Sequence, residues 1–543
     1  MPENRLPRSE SSQLLMTPFS AIFLVLLLLG SAWPQTASSQ PQSNPPAQSS
    51  NQAATPSQPA APQTPPQPPN PSGATQVSGA GVAVQNQQQG NAQSPAVEQP
   101  EPQTRITKAQ AKELFRSVDE ILDFASHDTG LPIKRNVKRN LITRESMERY
   151  VDKRMKDDKD AQRLEQSRLV LEKFGLLPPG YDLHSEFLRL LGEQVAAYYD
   201  PKSKSVNLLD WVQPDIQKPV LAHELTHALQ DQKIDLEKWE LAGGKDDGPQ
   251  PDQLEQVVEE AQAARQCVTE GQAMVVLLDY TLAPAGKDIL TAPEIVDVMR
   301  ASMADNKDSP VFAAAPMFLR ESLLMPYTFG LEFVRTVLAA KGRDATYSGM
   351  LENPPIDTRQ IMQPETYLLK QDVAPLVIPD LDKLVAPDYE RFDFGGMGEF
   401  DIYLLAKQYA GDEAPKNYYP HWRGGYYFAA RAKAAPKDQI AMLYFSRWDS
   451  PEAARAFAKL YADYLPKRYK KAVLQQPEAA SGTSAPGAQS AFTFVTNEGK
   501  ATLEIQGNDL LILEGYDAKI AEKASEVLLH GMSLPQSAGK STK

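Results

Sequence analysis

Two of the six histidines in this 543-residue chain stand four residues apart, in the stretch PVLAHELTHALQDQ at 219–232. On a helix, His223 and His227 would lie on one face, one turn apart, so that both imidazoles can reach one cation. Glu224, beside the first histidine, can accept a proton from a water molecule rather than bind the ion. Two neutral imidazoles and a carboxylate suit zinc and leave a fourth position open, so the H-E-x-x-H pattern predicts a hydrolytic zinc site. The alternative is a buried helix whose histidines only form hydrogen bonds.

The third ligand is expected to be an acid on the next helix, because no third histidine follows closely. Glu270 is favoured, since it stands in the apolar stretch CVTEGQAMVV, where an unpaired carboxylate would be costly to bury. Glu259 and Glu260 lie among polar residues and are predicted to be solvated. Gly271 and Ala273 are expected to let this second helix pack closely against the first. The carboxylates considered for the ligand are Glu255, Glu259, Glu260, Glu270 and Asp279.

The elements that must carry these residues are predicted to be mainly helical. Residues 105–190 show apolar positions at a period near 3.6 and are predicted as helices. The basic run over 133–160 alternates with acids at helical spacing and is interpreted as a solvated helix face. Two apolar runs flank the turn-forming set DPKS at 200–203, which predicts a β-hairpin. Pro214 and Pro219 then introduce the H-E-x-x-H helix.

The second half of the chain changes character. A proline-containing segment, PPIDTRQIMQPETY at 354–367, is followed by an irregular linker predicted over 371–397. Residues 398–535 mix strand and helix patterns and are expected to form a separate domain, with a tail at 536–543. The predicted fold class is therefore α+β: a mainly helical domain over 105–370 with a small β-hairpin or sheet, followed by an α+β C-terminal domain.

The N-terminus resembles an export signal. The apolar run at 21–29 is shorter than the roughly 20 residues that cross a bilayer, and small residues follow it. Residues 1–32 are therefore predicted to be a cleavable signal peptide, the alternative being an uncleaved anchor over 14–33. Both interpretations predict an exported chain that is periplasmic, extracellular or tethered to the outer face of the cytoplasmic membrane.

Composition narrows the class of protein further. Residues 33–104, dominated by Pro, Gln, Ser, Ala and Asn, bury too little apolar surface to fold and are predicted to be a disordered tether. The formal net charge of −13 argues against a general nucleic-acid binder. Cys267 is the only cysteine, which excludes an intrachain disulfide framework. It is expected to be a small buried core residue, with a regulatory thiol near the metal as the alternative.

The stretches AHELTHALQDQ and TEGQA, on two successive helices, resemble the gluzincin branch of zinc metallopeptidases. More narrowly, they are similar to a group of exported bacterial metallopeptidases with a later P-P-x-x-T-x-Q-I…P-E-x-Y segment, here at 354–367. The resemblance covers about 180–370 and extends weakly over 105–180 and 398–470.

This resemblance implies a zincin-like metallopeptidase fold for residues 105–370. It implies that Glu224 is the general base, and that the hairpin lies along the cleft, where an extended substrate could add as a strand. The ligands of one zinc ion implied by the resemblance are His223, His227 and Glu270.

The chain departs from the family pattern at two positions. Thermolysin-like members carry an aspartate four residues after the ligand glutamate to orient a ligand histidine, whereas Met274 stands there in this chain. The later segment often has a histidine where this chain has Gln363, which would weaken activity if that histidine contributes to catalysis. The group that stabilises the oxyanion is left open among Tyr327, Arg359, Tyr367 and His421.

The leading hypothesis is an exported zinc-dependent metalloendopeptidase that hydrolyses a protein or peptide substrate with a zinc-bound water activated by Glu224. One alternative is a non-catalytic cell-envelope binding or assembly protein that retains a structural metal site. Another is a zinc hydrolase of non-peptide substrates. Glu224 favours an enzyme, because a structural zinc site does not need it. No nucleic-acid partner is expected, a membrane tether through the N-terminal apolar segment is an open alternative, and the sequence does not define the oligomeric state.

Overall fold

The computed structural model describes most of the chain after the predicted tether. The described residues are 105–147, 149, 158–194, 197–242, 251–304, 309–475 and 489–531. The predicted signal peptide, tether and C-terminal tail lie outside them, as do residues 243–250. The described part of the chain is a mixed α+β fold, which agrees with the predicted α+β class.

The helices are α1 (Lys108–Thr129), α2 (Asp158–Phe174), α3 (Leu183–Gln194), α4 (Pro214–Ile234), α5 (Leu236–Glu240), α6 (Pro251–Leu282), α7 (Glu294–Ala304), α8 (Pro310–Ala314), α9 (Met317–Lys341), α10 (Met350–Glu352), α11 (Thr358–Met362), α12 (Pro364–Leu368), α13 (Leu381–Val385), α14 (Glu399–Ala410), α15 (Pro451–Arg468) and α16 (Ala518–Leu528). The strands are β1 (Lys138–Ile142), β2 (Ala197–Asp200), β3 (Ser205–Leu209), β4 (Tyr389–Gly396), β5 (Trp422–Ala432), β6 (Ala441–Trp448), β7 (Ala472–Gln475), β8 (Gln489–Thr496), β9 (Gly499–Gln506) and β10 (Asp509–Glu514).

A three-stranded sheet precedes the H-E-x-x-H helix. The predicted hairpin is confirmed, since β2 and β3 pair antiparallel with Tyr199 opposite Val206. The helical interpretation of the basic run is wrong at 138–142, because these residues form β1, which pairs in parallel with β3. Helical charge spacing could not reveal this strand, whose partner lies 60 to 70 residues further along the chain, with Arg139 opposite Val206. Among the described strands, the order β1-β3-β2 places β2 at an edge of this sheet.

The H-E-x-x-H residues lie on α4, which begins at Pro214. Proline suits this position, because the first N–H groups of a helix have no partner within the helix. Pro219 lies inside the helix, so only Pro214 introduces it as predicted. From Val220 to Gln232 every residue of α4 is buried, so this is a core helix covered on all sides.

Helices α6 and α9 approach each other closely at two glycines. A Cβ added to Gly271 would lie 2.3 Å from the carbonyl oxygen of Gly330, and a Cβ on Gly330 would lie 2.5 Å from that of Cys267. The prediction that Gly271 allows close packing against α4 is therefore wrong. The side of Gly271 on which a Cβ would stand contacts α9 instead. Cys267 is fully buried here, as expected of a core residue, and burial raises the pKa of its thiol.

The larger sheet has seven strands in the order β4-β5-β6-β10-β9-β8-β7, all antiparallel. The prediction of an irregular linker over 371–397 is wrong from residue 381 onwards, where α13 and the edge strand β4 form. The glycines at the end of β4 weaken the local strand signal, and pairing with β5 supplies the backbone partners. Phe174 of α2 meets Tyr427 and Tyr444 of the sheet edge-on, at centroid distances of 6.0 and 5.8 Å. Helices and sheet therefore share one hydrophobic core.

By length and composition, α9 is the one helix in the described part of the chain that could cross a membrane. Half of its most apolar window is buried within the protein. Core helices of soluble proteins have the same character, so this helix is weak evidence for membrane insertion.

Candidate metal centre

Two helices bring the predicted metal ligands together. The Nε2 atoms of His223 and His227 on α4 are 3.1 Å apart. Oε2 of Glu270 on α6 lies 3.1 Å from Nε2 of His223 and 3.4 Å from Nε2 of His227. The three side chains are almost completely buried, with exposed fractions of 3, 1 and 2%. This cluster could hold a metal ion.

The triangle of donor atoms fits a zinc-sized ion. Four ligands arranged tetrahedrally at about 2.0–2.1 Å from zinc are separated from one another by about 3.3–3.4 Å. The three observed separations run from 3.1 to 3.4 Å. Two imidazole nitrogens and one carboxylate oxygen are also a donor set that zinc accepts. The residues present therefore fit the metal that the sequence predicts.

The charges within this cluster favour metal binding. Burial would raise the pKa of Glu270, but His227 and His223 hold it at about 2, so the carboxylate is ionised. Burial would lower the pKa of His227, yet Glu270 and Glu224 raise it to about 9. Burial lowers the pKa of His223. A cation at this position would replace the proton on the imidazoles, since metal ligands must be deprotonated.

Glu224 lies beside the cluster and is not one of its members. Its Oε2 accepts a hydrogen bond of 2.7 Å from the backbone N–H of Tyr199, on the edge strand β2. Burial is the main cause that raises the pKa of Glu224, to about 8. Strand β2 therefore runs next to the carboxylate that the sequence predicts as the general base.

Of the four residues considered as oxyanion stabilisers, Tyr327 alone lies at this centre. Its ring stacks on that of His223, with centroids 6.2 Å apart. Burial raises the pKa of its hydroxyl, and the charge of Glu270 and a hydrogen bond with it raise this pKa further. The other three are engaged in different places: Arg359 donates to the Gln371 carbonyl, Tyr367 to the Asn353 carbonyl, and exposed His421 pairs with Asp449.

Gln363, the position at which the resemblance would place a histidine, also lies away from the cluster. Its amide nitrogen donates to both carboxylate oxygens of buried Glu399, at 2.9 and 2.8 Å. Gln363 therefore has a hydrogen-bonding partner at the start of α14.

Two glutamines at the centre were missed in the sequence. Nδ1 of His227 lies 2.9 Å from Oε1 of Gln230, and Nε2 of Gln230 donates to Oε1 of Gln272 at 2.9 Å. Gln230 gives His227 a side-chain hydrogen-bond partner. An aspartate at position 274 would have this role in thermolysin-like enzymes, and Met274 cannot take it. The only sequence signal for Gln230 is its position three residues after His227, on the same helical face.

The other carboxylates considered as ligands on α6 serve other contacts. The prediction that Glu259 and Glu260 are solvated is wrong, because residues from the second half of the chain cover them. Oε2 of Glu260 accepts hydrogen bonds from the N–H and hydroxyl of Thr358, at 2.9 and 2.7 Å. Oε2 of Glu259 accepts one from the Gly396 N–H at 2.7 Å. Asp279 accepts one from the Ile289 N–H at 2.6 Å.

The burial of Glu260 predicts that stability falls as the pH rises. Burial, followed by repulsion from Asp401, raises the pKa of Glu260 to about 8, from 4.5. Between these values the folded state keeps a proton that the unfolded state has lost. The free energy of unfolding should decrease by up to about 1.4 kcal/mol per pH unit from this group. Urea unfolding at pH 5 and pH 8 should show a shallower decline in Glu260→Gln than in wild type, and parallel declines would contradict the assignment.

No protein-family model, curated protein or solved structure matches this chain. Any assignment of function therefore depends on the chemistry and geometry of the residues themselves.

Proposed function

We propose that this protein is an exported zinc-dependent metallopeptidase of the zincin type that cleaves protein or peptide substrates. One observation supports this most: Glu224 stands beside a three-donor metal centre without being one of its ligands. A metal site that only stabilised the fold would not need a second carboxylate there. Bound zinc would supply a Lewis acid that polarises a carbonyl and acidifies a water molecule.

Each nearby side chain has a definite role in this proposal. A bound cation would favour the ionised form of Glu224 over the protonated form that burial favours. In this form, Glu224 takes the proton from the attacking water and passes it to the leaving amine. The Tyr199 N–H orients its carboxylate, leaving the second oxygen for this proton transfer. Tyr327, with its hydroxyl at Glu270, is the group proposed to stabilise charge on the substrate carbonyl oxygen.

The edge of β2 that faces away from β3 is the proposed site for an extended substrate, once the elements that now bury this strand have moved. Tyr199 lies opposite Val206 of β3, yet its N–H is turned away from β3 towards Glu224. A peptide that adds as a strand along this edge would bring its backbone next to the base. Main-chain hydrogen bonds would then position a peptide bond with little dependence on side-chain identity.

Substrate access requires movement, because the site is closed. His223, Glu224, His227 and Glu270 are each exposed by 3% or less. The proposal therefore includes a displacement of the surrounding elements before a peptide reaches the centre, as in enzymes whose loops open and close over the substrate.

Metal removal tests the proposed function. The purified chain should contain one zinc ion by elemental analysis and should hydrolyse an unstructured protein such as casein. Treatment with a chelator should abolish hydrolysis, and zinc should restore it, because the metal supplies the electrophile. Absence of zinc from the folded wild-type protein would contradict the metal site. Zinc without hydrolysis of any peptide would favour the binding or assembly protein.

A further inference from the structure

A short π-helical turn, Ala345–Gly349, follows α9 and contacts α6, the helix that carries Glu270. Turns of this kind are rare and often mark functional sites. Nε2 of Gln272 donates to the carbonyl oxygens of Thr346 and Tyr347 within this turn, at 2.7 and 3.2 Å. Carbonyl groups can only accept hydrogen bonds, so they fix the direction of the Gln272 amide. Its oxygen is therefore directed away from the turn.

The orientation of Gln272 determines that of Gln230. Oε1 of Gln272 accepts a hydrogen bond of 2.9 Å from Nε2 of Gln230, which also donates to the carbonyl of Thr269 at 3.0 Å. With its nitrogen on these two acceptors, Gln230 presents its oxygen to His227. Both glutamine side chains are completely buried, which makes a reversed amide with unsatisfied groups costly.

This chain of hydrogen bonds selects one form of His227. Nδ1 of His227 lies 2.9 Å from Oε1 of Gln230, and only a protonated nitrogen can donate to that oxygen. With the proton held on Nδ1, a neutral ring has its lone pair on Nε2, the atom that faces His223 and Glu270.

We infer that Gln230 and Gln272 are positioning residues that hold His227 in the tautomer needed for metal binding, through a relay anchored on the π-helical turn. The inference depends on the metal centre of the proposed function and not on peptide hydrolysis. Partners of this kind orient a ligand and raise its affinity for metal. In this protein a neutral amide pair takes the place that a carboxylate occupies in many metal sites.

Zinc affinity of the full-length chain, measured by competition with a chromogenic chelator, tests the relay. Gln230→Leu removes the acceptor from Nδ1 and should weaken zinc binding by about 10- to 100-fold. Gln272→Leu should cause a smaller loss, because the Thr269 carbonyl still holds the amide of Gln230. The double variant should lose no more affinity than Gln230→Leu, since the relay reaches the metal only through Gln230.

Gln217 provides a matched control. It lies on the same helix, is also completely buried, and donates to the backbone carbonyls of Leu209 and Val212 without touching the centre. Gln217→Leu should lower thermal stability and leave the zinc affinity of the folded protein unchanged. An equal loss of affinity in Gln217→Leu and Gln230→Leu would overturn the inference, because it would show a general effect of core disruption.

A conservative variant keeps the test decisive if Gln230→Leu does not fold. Gln230→Glu keeps an acceptor for Nδ1 of His227 while losing the donor to Thr269 and Gln272. The relay predicts zinc affinity within about three-fold of wild type, whereas a purely structural role predicts a loss, since two buried hydrogen bonds disappear. A decrease in the zinc affinity of Gln230→Glu by 10-fold or more would contradict the inference. If the wild-type protein binds zinc but has no peptidase activity, the proposed function is wrong and the inference about Gln230 and Gln272 is unaffected.

Discussion

In the variant Glu224→Gln, we expect peptidase activity to decrease by at least about 100-fold while zinc stays bound. The amide cannot take a proton from water, but its oxygen can still accept the hydrogen bond from the Tyr199 N–H. The three metal ligands are untouched, so zinc content should equal that of wild type. Casein hydrolysis and elemental analysis on the same preparation measure both quantities.

Glu237→Gln is a suitable control for this experiment. Glu237 is exposed on α5, so the exchange makes the same change of charge away from the centre. Its activity and zinc content should match those of wild type. Equal hydrolysis by Glu224→Gln and wild type would refute the assignment of the general base and would direct attention to another proton acceptor.

The variant Glu270→Gln should lose zinc. The carboxylate supplies the negative charge at the centre, and its Oε2 contacts both imidazoles. A neutral amide cannot balance the cation, so affinity should fall by at least about 100-fold, more than for loss of a residue that only orients a ligand. Competition with a chromogenic chelator gives the affinity, and peptidase activity at limiting zinc should fall with it.

Glu260→Gln makes the same exchange on the same helix, at a buried carboxylate held by Thr358. Its zinc affinity should remain that of wild type. If Glu270→Gln binds zinc as tightly as Glu260→Gln does, Glu270 is not the third ligand and another donor must complete the site.

Several features of the site could be predicted because they are properties of one helix or of one short stretch. The spacing of His223 and His227 places two imidazoles on one face wherever that helix lies in the molecule. The apolar surroundings of Glu270 in the sequence single it out, since a buried carboxylate needs a partner. The hairpin of β2 and β3 follows in the same way from local turn chemistry and from the two apolar runs that flank the turn.

Burial of polar residues was predicted less well. Glu260 stands among polar neighbours along α6, yet Thr358, nearly a hundred positions later, covers it. Strand β1 has a charged sequence and forms because β3 supplies its backbone partners. In both cases the environment comes from a distant segment, which no local pattern records.

The sequence by itself therefore determined which side chains could bind a metal and which acid stands beside them: two histidines and a glutamate on one helix, and a carboxylate on the next. The tertiary structure decided how these groups are arranged and what supports them. It brought Glu270 within 3.1 Å of His223, placed Tyr327 alone of the four candidates at the centre, and joined Gln230 through Gln272 to a distant turn. Hydrogen-bond partners and burial depend on which remote segments pack together, whereas spacing along a helix is fixed by the geometry of the backbone.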